Sequence, residues 1–92
     1  MKFEWDPRKD AANRRKHGVG LREAATVFGD PFATTFQDID HSISEQRFLT
    51  IGVSASGRLL VVAHKEEDEA TIRIISARPV TRRERRFYEE AL

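Results

Sequence analysis

Residues 46–79 read QRFLTIGVSASGRLLVVAHKEEDEATIRIISARP, and their pattern decides the fold. Gln46 to Val53 alternates, with Leu49, Ile51 and Val53 on one side, which predicts a strand. Ser54-Ala55-Ser56-Gly57 is a short hairpin connection. Arg58 to Lys65 contains Leu59-Leu60-Val61-Val62-Ala63, apolar on both faces, which suits a central strand. The acidic run Glu66-Glu67-Asp68-Glu69 is expected to be the next turn. Thr71 to Ala77, with Ile72, Ile74 and Ile75, predicts a further strand that Pro79 stops. Consecutive strands joined by turns this short pair as an antiparallel meander.

Working outward, Phe32 to Asp38 is rich in Thr and Phe and reads as strand, and Asp38 to Ser44 as a polar loop. Upstream, Leu21, Ala24, Ala25 and Phe28 form a helical stripe behind Gly20, a candidate cap, and Gly29-Asp30-Pro31 ends it. Asp6-Pro7 starts an earlier helix that runs to about Lys16, with Gly18 as a left-handed cap. Lys2-Phe3-Glu4-Trp5 predicts a short strand with Phe3 and Trp5 toward the core. Downstream, Thr81-Arg82-Arg83-Glu84 is a capping-box pattern and opens a last helix. The order β-α-α-β-β-β-β-α is an α+β fold: a small antiparallel sheet with two N-terminal helices and one C-terminal helix. Such a sheet is expected to carry its helices on one face and leave the other open.

The 92 residues and 10.6 kDa suit one domain spanning residues 1–92. The chain has no cysteine, which excludes disulfide frameworks, thiolate metal sites and thiol nucleophiles. No apolar run is long enough to span a membrane and no signal peptide is visible, so a cytoplasmic location away from membranes is expected. The net charge of +1 is unevenly spread: residues 1–22 carry +4, residues 23–46 carry −5, residues 66–69 carry −4 and residues 70–92 carry +3. Basic ends that met in space would give a polyanion such as RNA or DNA a positive field.

Several side chains have the chemistry for metal-free RNA cleavage: Glu45, Arg47, His64, Arg73, Arg78 and His17. A base removes the 2′-hydroxyl proton, an acid protonates the leaving 5′-oxygen, and fixed cations stabilise charge on phosphorus. Each also has a plain structural reading. The arginines and Glu45 could be surface ion pairs, His17 a helix-end cation, and His64 a core histidine. Arg82-Arg83 and Arg85-Arg86 could be a solvated helix face or could track phosphates. His17, His41 and His64 lack metal-ligand spacing, and no cofactor fingerprint occurs, so neither metal nor cofactor is expected.

Phe3-Glu4-Trp5-Asp6-Pro7, Lys9, Asn13, Lys16-His17-Gly18-Val19, Glu23-Ala24, Val27-Phe28 and Asp30-Pro31 together resemble the start of the BrnT family, ribonuclease toxins of type II toxin–antitoxin systems. Glu45-x-Arg47, Ile51-Gly52, Leu60-Val61-Val62, Arg73-Ile74-Ile75-Ser76-Ala77-Arg78, Glu84-Arg85 and Tyr88 extend the likeness over nearly the whole chain. The resemblance implies a RelE-like fold and a metal-independent endoribonuclease that shuts down translation. It also implies a BrnA-like ribbon-helix-helix antitoxin that binds operator DNA, so that the toxin reaches DNA only through its partner. The ribosome is a further partner of some RelE-like toxins. Under this reading Arg47, Arg73 and Arg78 converge on the open sheet face at the scissile phosphate. Glu45 or His64 is the base and His17 or Tyr88 the acid, while Lys16, Arg82, Arg85 and Tyr88 contact RNA. The chain departs from the family pattern at Gly20, at the acidic run 66–69 and at Pro79-Val80. The competing expectation is a non-catalytic module that docks nucleic acid or protein through its basic ends.

Overall fold

The computed structural model describes residues 1–42 and 45–92. Ile43 and Ser44, the end of the expected polar loop, lie outside the described residues. The strands are β1 (Lys2–Glu4), β2 (Thr34–Gln37), β3 (Phe48–Val53), β4 (Leu59–Asp68) and β5 (Thr71–Pro79). The helices are α1 (Pro7–His17), α2 (Leu21–Thr26) and α3 (Arg82–Glu90). The five strands form one sheet in the order β1-β5-β4-β3-β2. The expected antiparallel meander runs from β2 to β5. β1 adds to the β5 edge in parallel, pairing Phe3 with Ile72 and Glu4 with Arg73.

Local chemistry accounts for the helix ends. The Asp6 carboxylate accepts from the Arg8 amide at 2.8 Å ahead of Pro7, and Gly18 closes α1 at φ 69°. The capping box at α3 is complete: Glu84 N donates to Thr81 Oγ1 at 3.2 Å, and Thr81 N donates to Glu84 Oε1 at 2.8 Å. Gly20 offers no side-chain cap to α2. Instead the Leu21 amide donates to Asp10 Oδ1 of α1 at 2.7 Å.

Both faces of the sheet are used. On the first, α2 and the segments flanking it bury Val19, Leu21, Ala24 and Val27 against Leu60, Val62, Ile74 and Ala77. On the second, Tyr88 of α3 packs on Ile51, Leu59 and Val61. The expectation of helices on one face therefore needs correction, because the apolar odd-numbered row of β4 is also covered, by α3. The acidic run is corrected too. Glu66, Glu67 and Asp68 continue β4, and the turn is at Glu69-Ala70. These three side chains are exposed, so the strand end holds charge at little cost.

Among the described residues, the β5 edge beyond Arg73 has no strand partner. The Asn13 side chain fills that place: its Nδ2 donates to the carbonyls of Val19 and Ala77 at 2.8 Å each, and its Oδ1 accepts from Ala77 N at 3.1 Å. A buried carboxamide thereby satisfies both backbone groups of a sheet-edge residue.

Candidate active site

Residues opposite one another across a strand pair share a face, so the register places the charged side chains. Arg78 pairs with Val61, Ser76 with Ala63, and Arg73 with Lys65, all on the second face. Arg73 and Arg78 are five positions apart, a spacing that would set them on opposite sides of a regular strand. The register shifts between Ala63 and His64, leaving Ile75 as an extra residue in β5. That bulge restores both arginines to one face. Arg47 lies two residues before Leu49 and continues the same row, and its carbonyl accepts from Asp38 N at 2.8 Å.

One end of this face gathers the charges. Lys65 Nζ donates to Glu45 Oε2 at 3.0 Å and lies 3.5 Å from Glu67 Oε1. The Lys65 bond holds the Glu45 carboxyl below its ordinary value, with smaller contributions from the charges of Arg47 and Lys9. The same bond raises Lys65, so the pair is ionised at neutral pH. Arg73 Nη1 meets Glu4 Oε1 at 3.2 Å. Arg47 is half-buried, and its Nε is buried with no hydrogen-bond partner among the described residues. Arg78 stands about 15 Å along the strand from Arg73, at ~3.3 Å per residue. It forms a fork with Glu84, Nη1 to Oε1 at 2.7 Å and Nη2 to Oε2 at 2.9 Å. The fork raises Arg78 and lowers Glu84 to about 2. The arginines thus form a strip along one face rather than a single clamp.

His17 and Lys16 sit at the end of α1 beside a cleft of about 250 Å3 that Lys9, Asn13, Ile75 and Ser76 also line. Ser76 connects this cleft to the arginine face. Arg82 and Arg85 are exposed on α3.

His64 and Tyr88 are placed elsewhere. His64 belongs to the α1/α2 face, 4% exposed, edge-on to Phe28 and stacked with Phe48. Its Nε2 lies 2.7 Å from Thr50 Oγ1, which is 2.6 Å from Thr35 Oγ1. Burial pushes its pKa down to about 4. The sheet separates it from Glu45 and the arginines. Tyr88 is buried and donates to Asp30 Oδ2 at 2.5 Å, which pushes its hydroxyl up to about 12. Asp30 also accepts from Val53 N and Phe32 N at 2.8 Å each, so Tyr88 ties α3 to a loop anchor.

By sequence alone neither Lys65 nor Lys9 has a role in the site, although Lys9 belongs to the motif that carries the family resemblance. Lys65 has a signal, since it continues the odd row of Val61 and Ala63. Spacing alone does not bring Lys9 to Glu45, because that approach depends on how α1 lies against the sheet edge. Among the described residues, no three His, Asp or Glu side chains gather closely enough to hold a metal ion.

A family model described as the ribonuclease toxin BrnT of type II toxin–antitoxin systems matches residues 5–84. The chain belongs to the BrnT family. Its fold resembles the crystal structure of the Brucella abortus ribonuclease toxin BrnT, with a TM-score of 0.68 and 23% identity, covering 89% of this chain and 99% of that one. No curated protein matches by sequence comparison. The BrnT match includes His17, Glu45, Arg47, Arg73 and Arg78, and it ends at Glu84, so most of α3 lies beyond it. Among the described residues of this BrnT-family chain, no helix is long and apolar enough to cross a membrane.

Proposed function

We propose that this chain, residues 1–92 acting as one toxin domain, is a metal-independent endoribonuclease whose centre is Glu45, Arg47, Lys65 and Arg73. One observation carries the reading: the bulge at Ile75 sets Arg73 on the same face as Ser76 and Arg78, beside the Glu45–Lys65 pair. Glu45, ionised and acceptor-only, takes the 2′-hydroxyl proton. The 2′-oxygen attacks the adjacent phosphorus and the bond to the 5′-oxygen breaks, leaving a 2′,3′-cyclic phosphate and a 5′-hydroxyl. Arg47 and Arg73 bind the phosphate oxygens as charge builds, and Lys65 adds a fixed cation. His17, on the cleft beside Ser76, donates the proton to the leaving oxygen. Arg78, Lys16, Arg82 and Arg85 hold neighbouring phosphates. The base role of His64 and the acid and RNA roles of Tyr88 are withdrawn, since His64 is buried on the opposite face and the Tyr88 hydroxyl is buried in its hydrogen bond to Asp30.

RNA cleavage then arrests translation, on free RNA or with positioning by the ribosome. A BrnA-like ribbon-helix-helix antitoxin neutralises the toxin by covering the arginine face, and carries it to operator DNA. A cytoplasmic location follows from these partners. The non-catalytic docking reading draws on one observation: Arg73, Arg78 and Glu45 each already hold an ion-pair partner.

Inducible expression in a bacterium separates the two. The wild-type chain is expected to arrest growth with rapid RNA fragmentation, and Arg47→Ala or Arg73→Ala to abolish both. Purified protein should cleave RNA equally well with a chelator present. Arrest with intact RNA would replace catalysis by docking.

A further inference from the structure

The second face holds one feature that the catalytic reading does not use. Phe36 of β2 and Phe87 of α3 are 38% and 50% exposed, and their rings meet edge to face at 6.0 Å. They flank a cleft of about 420 Å3 whose floor is Ile51, itself 1% exposed. The rest of its wall is Thr81, Arg83 and Glu84. An exposed aromatic wall with a polar rim is the chemistry that takes an unpaired base: one ring stacks on its face, and hydroxyl, carboxylate and guanidinium meet its edge.

Charge decides the occupant. Arg82, Arg83, Arg85 and Arg86 have no carboxylate within ion-pair distance among the described residues. Glu84, the one acid in the wall, is held by Arg78. The cleft is therefore apolar inside with the unpaired guanidinium of Arg83 in its wall, and it adjoins the arginine strip through the Arg78–Glu84 fork. We propose that the Phe36–Phe87 cleft is a nucleobase pocket, which takes one unpaired base of a single-stranded RNA whose backbone runs along Arg73 and Arg78. This rests on the ribonuclease reading and gives that site its base preference.

The test uses full-length protein and short RNA oligonucleotides that differ at one position, with 2′-O-methyl versions for binding. Wild type is expected to prefer some bases at that position. Phe87→Ala should weaken binding of the preferred oligonucleotide about 5- to 100-fold, the range of one lost stacking contact. It should also level kcat/KM across the series. Phe87→Tyr keeps the ring and should restore both affinity and preference, a recovery that a general loss of fold would not give. If wild type binds and cleaves RNA while Phe87→Ala keeps both affinity and preference, the pocket is refuted and the ribonuclease reading stands. The pocket is likewise refuted if Phe87→Ala changes only the oligomeric state or the capture of a partner protein, since the cleft would then be a protein interface. If wild type neither binds nor cleaves RNA, both proposals fall together.

Discussion

Glu84 serves two elements with one carboxylate. Its Oε1 accepts from Thr81 N, closing the cap of α3, and both oxygens receive the Arg78 guanidinium. Glu84→Gln separates these roles, because a glutamine satisfies the capping box while losing the charge that holds Arg78. The side chain of Arg78 is 40% exposed, so water screens much of the pair. The stability loss should be about 1 kcal/mol or less in a denaturant titration. Affinity for a non-cleavable RNA is expected to rise, by roughly severalfold, once the guanidinium is free to meet phosphate. Unchanged or weaker binding would assign Arg78 to the fold and remove it from the RNA track. Arg47 is the opposite case: it has no ion-pair partner among the described residues, which makes it the guanidinium most ready to receive an anion.

At the scale of elements, the packing of β3 against the α2 turn rests on the small side of Gly52. A Cβ there would come within 2.8 Å of Val27 Cγ1, in the buried core, and 3.0 Å of Ala33 Cβ. Gly52→Ala is therefore expected to cost about 1–3 kcal/mol, seen as a lower midpoint in urea with an unchanged m-value. Retained wild-type stability would mean that the 3-10 turn at Val27–Gly29 can retreat. Local patterns like these explain what the sequence made legible. The caps at Asp6, Gly18 and Thr81, the stripe from Leu21 and the apolar core of β4 each depend on neighbours a few residues away, so spacing alone reveals them. The parallel seat of β1 and the seat of α3 on the second face depend on contacts distant in sequence. The bulge left only the adjacent pair Ile74-Ile75 as a trace, and it decides that Arg73 and Arg78 share a face. His64 shows the same limit, because its residue type fits a base as well as a core position and only burial separates the two.

The whole molecule divides its labour by face: α2 and the segments flanking it bury one side, and the other carries α3 at one end and the charged cluster at the other. This division gives its stability a particular pH dependence. His64 sits on the buried side with a folded pKa of about 4 against an ordinary value of 6.5. The unfolded chain therefore binds the proton more readily, and stability falls as pH drops from about 6.5 toward 4, by up to roughly 3 kcal/mol. Glu23, lowered to about 2 by its bond with Arg58, and Glu84, lowered to about 2 by Arg78, act in a different window. Their contributions are present above the ordinary value of 4.5 and are lost as pH falls from there toward 2. Acid should thus weaken the fold in two stages. Urea titrations at pH 7.5, 6, 5 and 4 would resolve the first stage. His64→Gln, which places an amide near Thr50 but cannot titrate, should flatten the slope between pH 7 and 5 whatever its effect on stability at pH 7.5. A slope that survives in this variant would mean that another group titrates there, and that the ring of His64 is reached by water in the folded chain.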